Sequence, residues 1–579
     1  MVGDALAGGE PHRPDAAGRP GPERLLVALL AFGTVAALWV FREADDNRLT
    51  SWSWIFGGAS PIRLYAATAV AIALASLAAR RPLRLRGGLA LFAGACAAAA
   101  CFWGTPEVIV DAARYFAAAK HLELHGLGDF LAEWGRGVPA WTDLPLLPAV
   151  DGLLFRTFGE SRIVIQAFTT LLFAGTVLLT HRIGRSLWSD EVGLAAGALL
   201  LAMPFLLAQV PALLVDVPTM FFLALAILAA VRAFERGTAG SIALAAAAVA
   251  LAALSKYSAW LFLSVVPVVG VVQWSRGAPR PLRTGALLAL AAGALVAAAL
   301  FPVRAALPGQ AALLLGYQAP GLGRWGESFT STFLFQIHPF VTAGAALSLW
   351  VAVRRRDPRW AIAAWPVLLL LVLQVRRARY AIPALPALAL MAAYGLQAIR
   401  AREVRRLAVG CAVASSLAVA GIGYLPFLRS TSAMNLKAAG EYLDTIAEER
   451  VDVFTLPQPG TEVNPAIAVP MLDLFTGKAL FHLDDGIPRP APPGLETSSL
   501  RFTWECERSR RDPAGGEEAA VVVVAGEADP PLPEPVARRL RRYRPARTFA
   551  VDEGVFRYRT LVTVYRADAP AVQARRDGP

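Results

Sequence analysis

The feature that most constrains this chain is a series of apolar runs, each long enough to cross a bilayer, that continues to about residue 425. A spanning helix needs roughly 20 mostly apolar residues, because backbone groups inside hydrocarbon meet no water and must be satisfied along the helix itself. By that measure the candidate spans lie near 25–41, 63–79, 87–103, 162–180, 190–208, 216–234, 240–254, 257–274, 284–302, 332–352, 360–375, 380–399 and 407–425, about 13 in all. A chain built this way is a polytopic α-helical membrane protein. Composition agrees: 56% of the 579 residues are hydrophobic and 17% charged, against about 45–50% and about 25% in ordinary globular chains. Those figures exclude a disordered or collagen-like chain and argue against a soluble multidomain enzyme. Four cysteines without a CxxC pair exclude a disulfide framework and supply no metal or redox motif.

The formal charge of +12 first suggests nucleic acid, but its distribution points elsewhere. Basic residues fill the N-terminal arm (Arg13, Arg19, Arg24) and then every second connection between spans. These connections hold Arg80, Arg81, Arg84 and Arg86; Arg182 and Arg185; Arg232 and Arg236; and Arg276, Arg280 and Arg283. Two more hold Arg354, Arg355, Arg356 and Arg359, and then Arg400, Arg402, Arg405 and Arg406. Cytoplasmic loops retain Arg and Lys, so the N-terminus is expected inside, and an odd span count places the C-terminal region outside. Most of the charge is therefore topology.

The expected organisation follows. Residues 1–24 form a disordered cytoplasmic arm and 25–86 carry two additional spans, the first an anchor without a convincing cleavage site. Residues 87–428 form the core, with a long first outer loop at 104–161 that opens on an amphipathic interfacial helix, Pro106 to Leu124. Residues 429–579 read as a soluble α/β domain outside the membrane. It has a helix at Leu436–Glu449 and strands at Val451–Leu456, Leu500–Trp504, Ala520–Val524, Phe549–Val551 and Leu561–Tyr565.

Charged and polar residues at the outer ends of spans break the orientation rule and call for a reason. Asp111, Arg114 and Tyr115 share one helix face, where the simplest account is a self-satisfied Asp–Arg pair. Asp216, with Pro218 two residues on, suits a helix N-cap, and a second role is compatible with that. Lys256 is one of only four lysines and interrupts an apolar stretch. It either snorkels or faces a phosphate. Arg376, Arg377 and Arg379, followed by Tyr380, form the strongest anomaly, and guanidinium forks suit a phosphate or carboxylate. His338 opens the tenth span and is a candidate polar contact, although a lone His is more often structural. His121 and His125 stand four apart without a trustworthy zinc motif. Gly321-x-Gly323-x-x-Gly326 follows no strand, so a dinucleotide site is excluded there.

These residues, in this order and on one membrane side, resemble the GT-C type of membrane-embedded glycosyltransferase. The narrower resemblance is to the family of protein O-mannosyltransferases and the lipid A aminoarabinose transferase. It rests on Asp111-x-x-Arg114-Tyr115, Trp141 to Pro148, Phe158-Gly159-Glu160-Ser161, Ser189 to Ala196, Asp216-Val217-Pro218, Leu254-Ser255-Lys256 and Arg379-Tyr380-x-x-Pro383. Two positions depart from the pattern: Ala112 follows Asp111 where the family often has Glu, and Asp143-Leu144-Pro145 stands where some members have Lys-Pro.

The resemblance implies transfer of a sugar from a polyprenyl-phosphate carrier to an acceptor hydroxyl at the outer face of the cytoplasmic membrane. Asp111 would be the general base, with Asp216 as a second catalytic carboxylate. Lys256 and the arginine cluster would bind the lipid phosphate. Arg114, Tyr115, Tyr380 and His338 complete the expected substrate-binding set. The resemblance fixes no cofactor, and a divalent metal, Mg or Mn, stays open. The expected partners are the lipid-linked donor, a glycan, lipid or protein acceptor and the bilayer, with no nucleic acid. The competing readings are a transporter or flippase of a lipid-linked sugar and a non-catalytic assembly subunit. A transporter usually shows midplane sites and inverted repeats, and neither is visible in this sequence.

Overall fold

Apolar, small-residue-rich runs form helices here because each helix satisfies its own backbone and buries a stripe against its neighbours. The computed structural model describes residues 21–79, 87–321, 323, 324, 326–483, 487, 491–505 and 519–567. Most of the N-terminal arm, the Arg80–Arg86 connection, Cys506 and part of the Gly321–Gly326 run lie outside them. Every expected span within the described residues falls mainly on helix. Among the described residues, eight helices are long and apolar enough to cross a membrane, including Arg162–Leu187, Asp216–Arg236, Tyr257–Ser275, Ala378–Ala398 and Arg402–Ser430. Gly87–Ala100, Ala239–Ser255 and Trp360–Val372 are shorter apolar helices. The 190–208 window is broken at Met203, whose backbone is extended (φ −129°, ψ 84°). Pro204 follows and disfavours the helical region for the residue before it.

Two glycine contacts hold the helices close. A side chain at Gly395 would put its Cβ 1.9 Å from the Gly344 carbonyl oxygen, and one at Gly193 would lie 2.3 Å from that of His181. The first contact clamps the Pro339–Arg355 helix against Leu385–Gly395; the second clamps Arg162–Leu187 against Asp190–Leu199. Small residues at such crossings let backbones approach.

The loop 104–161, expected on the outer side, is helical: Ile109–His125, Leu127–Glu133 and Leu146–Phe158. Beyond the membrane helices stands a mixed five-stranded sheet in the order β2-β1-β3-β5-β4. Its strands are β1 (Arg450–Thr455), β2 (Ala479–His482), β3 (Ala520–Ala525), β4 (Tyr543–Phe549) and β5 (Leu561–Ala567). β1 pairs in parallel with β2 and β3, and β5 pairs antiparallel with β3 and β4. Side chains alternate across β3, so Val522 and Val524 share one core with Leu436, Met471 and Leu472. Val521 and Val523 share another with Val536 and Leu540. The first of these cores also contains Phe116, Leu147, Phe155 and Val215, which makes the sheet domain and the outer-loop helices one continuous apolar body.

Three local expectations are corrected. Leu500–Trp504 is not a strand: Arg501–Glu505 forms a 3-10 turn whose Phe502 meets Trp141 of the 104–161 loop, while Trp504 Nε1 donates to the Glu462 carbonyl of its own domain at 2.8 Å. The edge strand β4 ends where a strand was expected to begin, because Pro545 and the arginines around it read as loop. The helix expected at Leu436–Glu449 runs instead from Ala433 to Leu443.

Candidate functional site

One end of the helix bundle, expected on the outer side, carries a linked set of charges. Asp216 is the first residue of its helix. It does not cap that helix, contrary to the simplest expectation; its carboxylate turns to two cations instead. Lys256 Nζ donates to Oδ1 at 2.6 Å, and Arg379 Nε donates to Oδ2 at 2.7 Å. Arg379 then reaches on, its Nη1 donating to Asp111 Oδ2 at 2.5 Å. One guanidinium therefore joins two carboxylates that stand 105 positions apart in the sequence, at 111 and 216. The expected Asp111–Arg114 pair is also replaced: Arg114 Nη2 meets Asp143 Oδ2 at 2.7 Å, and the Tyr115 hydroxyl donates to Asp143 Oδ1 at 3.3 Å. Asp216 is buried, whereas the Asp111 side chain is 22% exposed and is the carboxylate of the linked pair open to an incoming molecule.

Local structure explains how each group arrives. Lys256 sits in an extended break between Ala239–Ser255 and Tyr257–Phe262, which points it sideways rather than along a helix. It approaches the Tyr380 ring, with Nζ 5.4 Å from the centroid. Arg379 is held by the turn Ala378–Ala381, whose first amide donates to Glu327 Oε2 at 2.9 Å. The Asp111 helix is aimed by a buried arginine that the sequence reading did not single out. Arg162 donates to Glu107 at 2.7 Å and to the Thr105 and Pro106 carbonyls, and Glu107 in turn accepts the Leu213 amide at 2.9 Å.

Burial raises the Asp111 carboxyl, but the cations of Arg379, Arg377 and Arg114 outweigh it and hold the group below its ordinary 3.8. Burial pushes Asp143 the other way, above that value, despite Arg114. The two carboxyls are thus distinguished by surroundings.

The remaining expected residues separate. Arg377 is buried and lies on Tyr380, its guanidinium carbon 5.1 Å from the ring centroid. Arg376 is exposed and bonds Gln374 instead. His338 is buried as the N-cap of Pro339–Arg355, where Nδ1 accepts the Phe340 amide at 3.1 Å and its own amide donates to Ala202. No contact joins it to the charged set among the described residues. His121 meets Asp129 at 2.9 Å.

Besides Arg162, sequence reasoning missed Asp143, noted only as a departure from a pattern, and Phe502. The Phe502 ring, on the sheet domain's 3-10 turn, lies 4.7 Å from the Arg114 guanidinium carbon and 6.1 Å from the Trp141 ring. The strand expectation at Leu500–Trp504 concealed this contact. Among the described residues no group of three or more His, Cys, Asp or Glu comes together as a metal site. The site's carboxylates already face cations, so the donor set as arranged does not fit a divalent ion.

Both the sequence and the fold are similar to those of known proteins. Residues 142–304 match the family model described as dolichyl-phosphate-mannose-protein mannosyltransferase, a stretch that holds Asp143, Asp216 and Lys256 but neither Asp111 nor Arg379. No curated protein matches the sequence significantly. The fold is similar to that of ArnT from Cupriavidus metallidurans bound to undecaprenyl phosphate. The TM-score is 0.54 at 14% identity, over 83% of this chain and 98% of that one. The apo state of the same protein gives 0.52 at 13%, over 82% and 97%. The archaeal oligosaccharyltransferase AglB from Archaeoglobus fulgidus, in complex with an inhibitory peptide and a dolichol-phosphate, gives 0.46 at 11%, over 77% and 70%. By its helices and its sheet domain the chain has the fold of the ArnT structure, and its stretch 142–304 is similar to the mannosyltransferase family model.

Proposed function

We propose that the protein is a membrane glycosyltransferase that moves a hexosyl or pentosyl group from a polyprenyl-phosphate carrier to an acceptor hydroxyl. The observation that carries this reading is Arg379 bridging Asp111 and Asp216, with Lys256 on the second carboxylate. The acceptor oxygen attacks the anomeric carbon, the bond from that carbon to the phosphate oxygen breaks, and the hydroxyl proton passes to Asp111. The departing phosphate gains negative charge, which Lys256 and Arg377 stabilise. Arg379 spends two donors on carboxylates, so its part is to fix the base and Asp216 in place. A solved protein of the same fold is bound to undecaprenyl phosphate, which supports this class of donor.

The basic connections support an inside N-terminus and a reaction at the outer face of the cytoplasmic membrane. On this reading residues 87–428 are the catalytic core, 25–86 an added pair of spans, and 429–579 an extracytoplasmic domain beside the acceptor. The experiment is transfer by purified protein from a panel of labelled polyprenyl-phosphate sugars, followed by mass spectrometry. Asp111→Asn is expected to lower the rate by about 100-fold or more. Undiminished turnover in that variant would remove Asp111 as the base. Carrier movement across liposomes without any transfer would favour a flippase.

A further inference from the structure

The helices that carry the outer charges at one end carry a second cationic group at the other. Arg379 opens the Ala378–Ala398 span and Tyr394 stands near its end. Lys256 precedes the Tyr257–Ser275 span and Arg276 follows it. At 1.5 Å per helical residue, Arg379 and Tyr394 are separated by about 22 Å along the axis, so the two groups lie toward opposite sides of a hydrocarbon core about 30 Å thick.

At this far end an open cavity of about 450 Å³ is lined by Trp188, Arg276, Arg355, Arg356, Asp357 and Tyr394, among others. Its floor is rigid. The Trp188 and Tyr394 rings stack with centroids 4.6 Å apart and planes at 25°. Trp188 Nε1 and the Tyr394 hydroxyl both donate to Asp357 Oδ2, at 3.0 and 3.1 Å. Arg359 donates to both oxygens of the same carboxylate, at 2.7 and 2.8 Å. Asp357 and Arg359 therefore satisfy each other. Arg276, Arg355 and Arg356 have no carboxylate partner among the described residues.

Orientation alone accounts for basic residues at this end. It accounts neither for their convergence on one cavity nor for the backbone of Arg356. That residue caps Pro339–Arg355 in the left-handed region, at φ 50° and ψ 44°. Glycine is the usual residue there, because a Cβ adds steric cost. Beside the cavity, Trp274 and Trp350 are 60% and 52% exposed, and Arg354 lies 5.2 Å over the Trp350 ring. Exposed tryptophans of this kind mark the headgroup level of a bilayer. Val271, one turn deeper than Trp274 on the membrane side, continues the exposed apolar surface.

We propose that this cavity binds the phosphate of an anionic phospholipid headgroup, at the end that the basic connections assign to the cytoplasm. Guanidinium forks take the phosphate oxygens, the stacked rings support the headgroup, and the acyl chains lie on the valine surface. Basic pockets between membrane helices bind lipid phosphates in this way. The inference is independent of the reading of the Asp111 site.

The test is native mass spectrometry of the full-length protein in neutral detergent, titrated with phosphatidylglycerol, with inorganic pyrophosphate as competitor. Wild type is expected to retain one lipid saturably and to keep it against pyrophosphate. Combined Arg276→Gln, Arg355→Gln and Arg356→Gln is expected to weaken retention by about tenfold or more. Arg236→Gln, an exposed residue of another basic connection that does not line the cavity, is expected to leave it unchanged. If the combined variant does not fold, Arg356→Gly removes one guanidinium while suiting the left-handed backbone, and a several-fold loss is expected from it alone. Retention unaffected by the cavity variants, or weakened equally by Arg236→Gln, overturns the site. Displacement by pyrophosphate overturns the lipid assignment and gives the cavity to a soluble phosphate.

Discussion

At the scale of single residues, the outer site depends on which charge neighbours which. Asp111 is held below its ordinary 3.8 because Arg379, Arg377 and Arg114 outweigh its burial. A depressed carboxyl stays ionised through neutral pH, and both its pairing and its capacity to accept a proton are lost only as pH falls through that lowered value. On the account of Asp111, the transfer rate is therefore expected to be level between about pH 8 and pH 5, with an acid limb below 3.8. An acid limb near neutrality in the rate profile would contradict an ionised Asp111. Asp216 is the more structural of the two carboxylates, being buried between Lys256 and Arg379. Asp216→Asn leaves the partly buried Lys256 without its counter-charge and Arg379 with Asp111 alone, and breaking a buried pair costs about 3–5 kcal/mol. Thermal unfolding in detergent checks it, and an unchanged transition would mean that the pair is well solvated.

At the scale of elements, the site is held by where helices break and cross. Lys256 is presented by an interruption between two helices, and Arg379 by a short turn ahead of the helix clamped through Gly344 and Gly395. Gly395→Ala places a methyl group against the Gly344 carbonyl, and the crossing must open. Overpacking of this kind costs about 1–3 kcal/mol. The variant is expected to unfold at lower temperature and to lose transfer activity, because the Arg379 turn shifts with its helix. A glycine-to-alanine change at Gly421, which has open space around it, is the matched control.

At the scale of the whole molecule, the sheet domain and the outer-loop helices share a core, and polar contacts tie them. Lys120 of the outer-loop helix donates to Glu160 at 3.2 Å and to Asp473, beneath the sheet, at 2.5 Å. Burial, with the neighbouring charge of Asp473, pushes Glu160 up to about 7 even though Lys120 favours its ionised form. A carboxyl raised in the folded state contributes stability that is full below its unfolded value, 4.5, and is lost as pH rises through about 7. Glu160→Gln is expected to flatten that part of the stability profile. Unfolding temperatures of both proteins between pH 4.5 and 8 test it, and parallel profiles would exclude Glu160 as the source.

Much of this protein is legible without coordinates, because in hydrocarbon a helix must satisfy its own backbone and the apolar runs announce it. The spans, the charge alternation and the outer polar residues Asp111, Asp216, Lys256 and Arg379 are all visible as local anomalies in apolar surroundings. Pairing is not local. That Arg379 serves two carboxylates, that Arg114 turns to Asp143, that His338 only caps a helix and that Arg376 stays apart depend on how distant helix ends converge. The 3-10 turn carrying Phe502 is decided in the same way, by what it packs against and not by the β-like run that spells it. Sequence determined which residues had to be explained; tertiary structure decided their partners, because an ion pair depends on distance in space, which helix packing sets.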